Sequence, residues 1–487
     1  MRILWTWGWI MKNGREYSWT IILALALFAP AAWAQQPDPR VNPPIPPDQL
    51  APVPAGKAFP PLLRQPGDPA IEPEKEMVPD TRPLSGVEQF TLGQMGKSRN
   101  YLLPSFESFE TIDTNPLIAG TKSDIISATS LIGRISLQRV WSRYRFTADY
   151  KGGGILYTPQ SELNTTVHDF RFTQRINSRR WSLLLSDKLR YFPESSFGYG
   201  GYYSGQSSLG ANFNPSFQSS QSILTVRSTR LSNTAVGQVE YVVSKKSSLT
   251  ASASYDTLRF DQAGFLDNSN VALRASYSYN PTPRNTVALS YGFSLFRFGK
   301  ITQQVHDQNV HLAYGRRVTG RLALELSAGP DIYTFTNPLA GSARQLSWSV
   351  DGAWTYRFPK TDLRMAYTSY LTGGAGVLAG ARSDEVRLTA TSRLSRNVSS
   401  SLDLGYSHNA VLQQTTNVTG NAFNTWYAGL QLTRPLGRYT NVYLNYYFQR
   451  QTSDVALCAV SVCGGPNTLR HHFGLGFSWH RRPIPLG

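Results

Sequence analysis

Eight short polar breaks recur along the chain at nearly regular intervals, and their spacing restricts the fold more than any other feature. They are centred near Ser142, Arg179, Lys246, Pro283, Gly320, Lys360, Asn397 and Gly437. Successive breaks are separated by 37, 67, 37, 37, 40, 37 and 40 residues. A fixed period in this range indicates a repeated supersecondary unit. The long interval fits one unit plus an insertion in residues 193–222, which are rich in Gly, Ser, Tyr and Asn.

The segments on both sides of each break alternate between apolar and polar side chains. In "YVVSKKSSLTASASY", Leu249 and Ala251 alternate with Thr250 and Ser252 after the break at Lys246. Alternation with period two predicts strands, and a polar break between two such strands predicts a hairpin turn. Each repeat is therefore two strands, one short basic turn and one longer connection.

The composition of the chain fits an all-β protein. Of its 487 residues, 16% are charged, 41% hydrophobic and 12% aromatic. Gly, Ser, Thr and Tyr are frequent, and no long helical pattern follows the N-terminal region.

The N-terminal region predicts export from the cytoplasm. Lys12 and Arg15 precede the apolar run "TIILALALFAPAAWA", which ends in the small–x–small sequence Ala32–Trp33–Ala34. This pattern predicts a secretory signal peptide over residues 1–34, because the apolar core is too short to favour a membrane anchor. We expect the mature chain to begin at Gln35.

Residues 35–100 are rich in proline. Proline removes backbone donors and interrupts helices and sheets, so we expect a disordered periplasmic segment before a strand-rich domain at residues 101–487. Two interpretations of the segment remain open. It is either a solvated spacer or a polyproline ligand for a periplasmic partner.

The residues on the polar face of the strands distinguish between a soluble β-sandwich and a membrane barrel. In "GRLALELSA", Leu322, Leu324 and Leu326 share one face, and Glu325 lies on the other. A soluble β-sandwich also alternates, but it turns its apolar faces inward. Here charged and small residues recur on the second face, and aromatic residues recur near strand ends. This combination predicts a membrane barrel with an apolar outside and a polar inside.

The segment from Tyr101 to His480 resembles a Gram-negative outer-membrane β-barrel of the porin-like kind. The last strand, "RHHFGLGFSWH", places Phe473, Leu475, Phe477 and Trp479 on one face, and is similar to the aromatic C-terminal strand used for barrel assembly. The chain departs from that pattern by continuing through "RRPIPLG". The segment "SFESFETIDTN" is loosely similar to the opening strand of porin families found near polysaccharide-export systems. The resemblance implies an outer-membrane location, contact with outer-membrane lipids and insertion by the barrel-assembly machinery.

The number of strands follows from the breaks. Eight turns give sixteen strands, and the strand before the C-terminus is the seventeenth. Bacterial barrels have even strand numbers, so one more strand must precede Ile126, and residues Ser105–Asp113 are the best candidate. We therefore predict an all-β, transmembrane antiparallel barrel of about eighteen strands, with sixteen as the alternative. A lumen of this size holds an aqueous channel unless loops fill it.

Basic residues concentrate at the short turns. This set is Arg143, Arg179, Arg180, Lys245, Lys246, Arg284, Arg316, Arg317, Arg321, Lys360, Arg393, Arg396, Arg434 and Arg438, with Arg481 and Arg482 in the tail. Against these sixteen bases stands one acid, Asp362, and the whole chain carries a net charge of +17. Single charges on hairpin turns make a poor nucleic-acid surface, so no nucleic-acid partner is expected. We expect the bases to face anionic headgroups at the periplasmic rim.

Alternation also predicts which charged side chains line the lumen. They are Arg134, Arg145, Asp149, Asp169, Arg171, Glu240, Asp256, Arg274, Glu325, Asp351, Arg357, Arg364, Arg387 and Asp403, seven bases and seven acids. They either form salt bridges that brace the wall or a constriction that filters solutes. The inward-facing Tyr427, Tyr443 and Tyr447 either stack on sugars or serve as ordinary packing.

Motifs for catalysis are missing from the sequence. It contains no HExxH, no P-loop and no G-x-S-x-G, so we predict neither an enzyme nor a metal or other cofactor. Cys458 and Cys463, in "CAVSVC", fall in a predicted extracellular loop, where an oxidising compartment favours a disulfide between them.

Two functions compete for such a barrel. The first is a channel that passes small hydrophilic solutes through a water-filled, charge-balanced lumen. The alternative is the outer-membrane component of an exopolysaccharide export or secretion machine, with the proline-rich segment bound to a periplasmic partner.

Overall fold

The computed structural model describes residues 100–115, 125–193, 223–299, 303–337, 341–412, 422–453 and 467–486. The strands are β1 (Tyr101–Asp113), β2 (Ile126–Val140), β3 (Tyr144–Thr158), β4 (Thr165–Asn177), β5 (Trp181–Phe192), β6 (Arg230–Ser244), β7 (Ser247–Phe260), β8 (Asn268–Thr282), β9 (Asn285–Phe298), β10 (Gln304–Arg317), β11 (Leu322–Asn337), β12 (Gly341–Arg357), β13 (Thr361–Thr372), β14 (Ala381–Arg393), β15 (Ser399–Val411), β16 (Ala422–Pro435), β17 (Thr440–Ser453), β18 (Asn467–His480) and β19 (Ile484–Pro485). Two short 3-10 turns, Ser161–Leu163 and Gly374–Gly376, complete the regular structure of these ranges. No helix within them is long and apolar enough to cross a membrane.

Three predictions concern residues outside the described ranges. They are the signal peptide at 1–34, nearly all of the proline-rich segment at 35–100, and the disulfide between Cys458 and Cys463. All three stay predictions.

Strands β1 to β18 form a closed ring. Each strand pairs antiparallel with the next one in the chain, and β1 also pairs with β18 from Ser105↔His480 to Asp113↔His472. The prediction of eighteen strands is confirmed, and the alternative of sixteen is wrong. The first strand, β1, covers the predicted segment Ser105–Asp113.

Every predicted break lies in a short connection at one end of the barrel. These eight connections are two to five residues long. Lys245 and Lys246 form the whole turn between β6 and β7 and are exposed. The connections at the other end are mostly longer, and the longest joins β5 to β6 across the predicted insertion. Because short turns of such barrels face the periplasm, this end is the periplasmic rim.

The barrel is apolar outside and polar inside. On β2, Leu131 and Ile135 are 44% and 50% exposed, whereas Ser130 and Ser136 are 3% and 5% exposed. The closed ring gives every strand a hydrogen-bonded neighbour on both sides, which a bilayer requires because it offers the backbone no water. An outward apolar surface on a closed antiparallel barrel is the structure of an outer-membrane protein, and this protein lies in the outer membrane.

Exposed tryptophans mark the periplasmic edge of the apolar surface. Trp141 lies in the β2–β3 turn, Trp181 begins β5, and Trp479 is the penultimate residue of β18. Amphipathic aromatic rings prefer the level of the lipid headgroups. Their position next to the basic turns therefore places one membrane interface at this rim.

The C-terminal tail continues the closure of the barrel. After β18 ends at His480, β19 pairs with the start of β1 at Tyr101↔Pro485 and Leu102↔Ile484. The amide N of Leu486 donates to the carbonyl O of Asn100 at 3.0 Å. The sequence "RRPIPLG" that departs from the usual aromatic C-terminus thus supplies the neighbour that the first residues of β1 would otherwise lack.

Candidate functional site

The inner wall of the barrel is the candidate site, because its polar face is where the structure places most of the charged residues of the strands. The charged side chains predicted for the lumen occupy positions that alternate with outward apolar residues. Most are partly buried: Arg134, Arg145, Asp149, Asp169, Arg171, Glu240, Asp256, Arg274 and Glu325. Asp351, Arg387 and Asp403 are buried, and Arg357 and Arg364 are exposed near the periplasmic rim.

Arg134 and Asp149 form a charge pair between β2 and β3. The guanidinium Nε of Arg134 donates to Oδ1 of Asp149 at 2.9 Å, and the hydroxyl of Ser136 donates to Oδ2 of the same carboxylate at 2.7 Å. Ser136 and Asp149 are direct cross-strand partners, so the register of the hairpin sets this geometry. The pair braces the wall.

A second pair joins β14 and β15 and is fully enclosed. Nε of Arg387 donates to Oδ1 of Asp403 at 2.8 Å, and the hydroxyl of Tyr427 on β16 donates to the same oxygen at 3.3 Å. Glu385 lies next to this pair on β14, where it accepts a hydrogen bond from Tyr370 at 3.4 Å. Because the side chain of Asp403 is 0% exposed, this cluster is part of the wall's structure and does not face an open channel.

Sequence reasoning missed a third cluster at the closure of the barrel. Nε of Arg470 on β18 donates to Oδ2 of Asp113 on β1 at 2.9 Å, and Nδ1 of His472 lies 3.7 Å from that oxygen. Both residues lie on the inward positions of their strands. The alternation of β18 places Arg470 and His472 on its inward face. The face of Asp113 could not be assigned from sequence, because β1 alternates too poorly.

The tyrosines considered as a sugar-stacking track are buried against other side chains. The hydroxyl of Tyr443 donates to Oε1 of Glu107 at 2.7 Å, and the ring of Tyr447 lies 5.5 Å from the ring of His472. Tyr427, Tyr443 and Tyr447 are all less than 4% exposed. Their contacts support the packing interpretation.

A group of cations lies on the wall formed by β3, β4 and β5. Lys151, Arg171, Lys188 and Arg190 surround the carboxylate of Asp169. Lys151 and Arg190 are its cross-strand partners on either side, and Lys188 is the partner of Arg171. We call these four bases the cationic wall. Sequence reasoning found Asp169 and Arg171 but missed Lys151 on β3 and Lys188 and Arg190 on β5. The leucines at 183–185 obscure the alternation of β5.

Acidic and neutral polar groups line a different part of the lumen. On β10 and β11, Oδ1 of Asp331 lies 3.1 Å from Nε2 of His311, and Nδ2 of Asn309 donates to Oδ2 of Asp307 at 3.1 Å. Asp307 and Asp331 were also missed by sequence reasoning. The lumen therefore has bases concentrated on β3–β5 and acids on β10–β11, about seven strands away around the ring.

Two connecting segments enter the end of the barrel opposite the periplasmic rim. The first is residues 223–229, which precede β6. The amide N of Leu224 donates to the side-chain Oε1 of Gln451 on β17 at 2.7 Å, and Nε2 of Gln451 donates back to the Leu224 carbonyl at 2.8 Å. This segment therefore reaches from β6 to a strand on another side of the ring.

The second segment is residues 373–380, between β13 and β14. The amide N of Leu266, after β7, donates to the carbonyl O of Gly376 at 2.7 Å. Gln303 Nε2 donates to the carbonyl O of Ala379 at 3.2 Å. Gly376 has a φ of +80°, and a Cβ atom there would collide with the ring of Phe260, so the close approach requires glycine.

The two segments meet inside the extracellular mouth. Ile223 of the first forms one apolar cluster with Ala375 and Leu378 of the second, together with Ala381 and Phe423. We call residues 223–229 and 373–380 the mouth segments. They narrow the lumen with apolar side chains above a polar, charged wall.

The described part of the chain holds no group of three or more His, Cys, Asp or Glu side chains placed to bind a metal ion. The charged clusters described above consist of ion pairs and hydrogen bonds between strands.

No protein-family model matches the chain. No curated protein matches it in sequence. Among solved structures, the Pseudomonas aeruginosa protein OccK2 (OpdF) is similar, with a TM-score of 0.43, 11% identity, and coverage of 80% of this chain and 98% of that one. The outer membrane protein opdK of the same organism has a TM-score of 0.41 and 13% identity over 78% of this chain and 99% of its own. The siderophore receptor PirA, also from P. aeruginosa, has a TM-score of 0.38 and 8% identity over 79% and 80%.

Proposed function

We propose that this barrel is an outer-membrane channel for small hydrophilic solutes, with an entrance narrowed by the mouth segments. The observation that supports it most is the inner wall, which carries polar and charged side chains on most of its strands while the outer wall is apolar. A barrel of eighteen strands is wide enough for an aqueous lumen, and polar linings lower the cost of solute entry.

The cationic wall adds a preference among solutes. Four bases surround Asp169, and with Asp149 as a second acid beside Arg171 this part of the lumen still has a local excess of positive charge. Confined charges of one sign attract counter-ions and raise their local concentration. We therefore propose that the channel favours small anions over small cations, although the predicted set of lumen charges is balanced overall.

Reversal potentials in planar bilayers test this preference. In a salt gradient, the wild type should show a chloride permeability above that of potassium. Replacing Lys151 and Lys188 by Gln should lower the ratio on the order of twofold, because two cations are removed beside Asp169. The control is Lys245→Ser with Lys246→Ser at the rim, which should change little because salt screens those charges within about 8 Å. Equal shifts in both variants would show that the cationic wall does not select ions.

The mouth segments favour a second candidate, a barrel that is closed at rest and opens within an export machine. Their apolar contact across the mouth is the specific observation in its support. A passive channel conducts as purified, whereas a closed export barrel conducts only after the mouth segments are shortened. One bilayer experiment therefore distinguishes the two candidate functions.

A further inference from the structure

The ladder between β12 and β13 is interrupted. These strands pair only from Gly352↔Tyr367 to Arg357↔Asp362, which is six residue pairs. Among the ladders that join the eighteen barrel strands, the next shortest, between β1 and β18, has nine. Toward the extracellular end, both strands continue without pairing to each other. Residues 341–351 of β12 pair only with β11, and residues 368–372 of β13 pair only with β14. We call the gap between residues 341–351 and 368–372 the lateral seam. It lies in the extracellular half of the barrel wall.

The side chain of Arg382 spans the lateral seam. Arg382 is the second residue of β14, on the outward positions of that strand. Its Nη2 donates to the carbonyl O of Trp348 at 2.9 Å and to the hydroxyl of Ser369 at 3.1 Å, and its Nη1 donates to the hydroxyl of Ser347. The guanidinium thus satisfies a backbone carbonyl in the gap where the ladder is missing.

The seam separates a cavity of the lumen from the lipid. On the inner side, Ser349, Ser369 and Leu371 line a cavity. Leu371 also packs against the apolar cluster that contains Phe296 and Phe335. On the outer side, Leu346 and Trp348 are each 64% exposed. Ser369 lines the cavity and accepts a hydrogen bond from Arg382, so the guanidinium lies next to the cavity wall at the seam.

Arg382 has neutral hydrogen-bond acceptors at the seam and one acidic neighbour, Asp384. Two hydroxyls and one carbonyl accept its hydrogen bonds, and Oδ1 of Asp384 lies 3.9 Å from its Nε in a long ion pair. Asp384 also accepts a hydrogen bond from Tyr367 at 3.1 Å. Charge-assisted hydrogen bonds to a carboxylate are about twice as strong as neutral ones, and the planar guanidinium fits a carboxylate in a bidentate manner.

We propose that the lateral seam is a portal between the bilayer and the lumen for single-chain amphiphiles that carry a carboxylate. The carboxylate replaces Ser347, Ser369 and the Trp348 carbonyl as the partner of Arg382, and the alkyl chain lies between the outer surface at Leu346 and Trp348 and the inner cluster at Leu371. Arg382 selects the head group, and Leu346 and Trp348 on the outer side with Leu371 on the inner side select the chain.

Photo-crosslinking in lipid nanodiscs tests the portal. The probe is a long-chain fatty acid that carries a diazirine, compared with its methyl ester, and adducts are mapped by mass spectrometry. We expect adducts of the acid on peptides that contain residues 346–351 and 369–372. Arg382→Gln should reduce them about tenfold, because one charge-assisted contact is lost. The control Arg393→Gln removes the same charge at the periplasmic end of the same strand and should leave the adducts unchanged.

A disulfide across the seam supplies the second test, in chains with Cys458 and Cys463 replaced by Ser. Continuing the β12–β13 register places position 350 opposite position 369, so Val350→Cys with Ser369→Cys should close the seam when oxidised. Adducts on the inner residue Leu371 should disappear and return on reduction. The matched pair Ala353→Cys with Ala366→Cys lies in the intact ladder and should have no effect.

Three results would overturn the proposal. They are adducts spread evenly around the outer wall, equal labelling by acid and ester, or labelling of Leu371 that persists in the oxidised Val350→Cys and Ser369→Cys variant. Both tests are independent of ion conduction.

Discussion

At the scale of single residues, Asp403 stabilises the barrel wall. It holds the buried guanidinium of Arg387 and the hydroxyl of Tyr427, and its side chain is 0% exposed. Replacing Asp403 by Ala should lower the free energy of unfolding by about 3–5 kcal/mol, since it leaves Arg387 buried without its partner. Denaturant titration followed by the heat-modifiable shift in gel mobility measures this.

The rim provides a control for that substitution. Arg357 and Asp362 also form an ion pair, at 3.2 Å, but their side chains are 73% and 63% exposed. Asp362→Asn should leave the free energy of unfolding unchanged, because exposed pairs are screened and flexible. If Asp362→Asn and Asp403→Ala destabilise the barrel equally, burial is not what makes the inner pair important.

Alternation along a strand predicts which residues share a face, and it is sufficient to put Arg387 and Asp403 on the same side of their strands. It does not predict that they touch. Contact depends on the register between β14 and β15, which the turn at residues 394–398 sets. The same limit applies to Asp113 and Arg470, which lie 357 positions apart in the chain and meet only because the barrel closes.

At the scale of strands, a glycine opposite an inward-facing tyrosine determines where the tyrosine ring lies. Tyr443 on β17 is the cross-strand partner of Gly476 on β18, and a Cβ atom at Gly476 would lie 2.5 Å from the ring carbon Cζ of Tyr443. The tyrosine ring therefore lies over the glycine while its hydroxyl reaches Glu107.

Replacing Gly476 by Val should displace the Tyr443 ring and lower the free energy of unfolding by about 1–3 kcal/mol. Gly437→Ala is the control, because a Cβ atom at that turn position meets no neighbouring atom within 4 Å. Denaturant unfolding of both variants in detergent measures the difference. A stable Gly476→Val barrel would show that the tyrosine can move without cost.

Strand positions were predictable where alternation is strong and turns are basic, as in the hairpin of β6 and β7. They were harder to assign in β5, where three consecutive leucines hide the phase, and the interruption between β12 and β13 has no sequence signal. Residues 373–380, which follow β13 and enter the mouth, were equally hard to predict, because connecting segments lack the periodicity that alternation requires.

The proline-rich segment bears on the whole molecule. We predict that deleting residues 37–79 leaves a barrel that folds and shows heat-modifiable mobility, because a chain of this composition contributes little buried apolar surface. Loss of folding in detergent would contradict this and would give the segment a role in the domain.

The state of the extracellular mouth decides between the two candidate functions. The mouth segments carry the apolar contact of Ile223 with Ala375 and Leu378. Neither their position nor their contact was predictable from the sequence, which indicates only a long insertion before β6. Their removal opens the mouth and leaves the eighteen strands of the barrel in place.

Single-channel conductance in planar bilayers tests the central claim most directly. The wild type should conduct, and replacing residues 373–380 by a short Gly-Ser turn should raise the conductance several-fold, because it removes one side of the apolar contact across the mouth. A wild type that is silent until the segment is removed would favour the export barrel. No conductance in either protein, with both shown to be folded by heat-modifiable mobility, would contradict the account of a water-filled lumen.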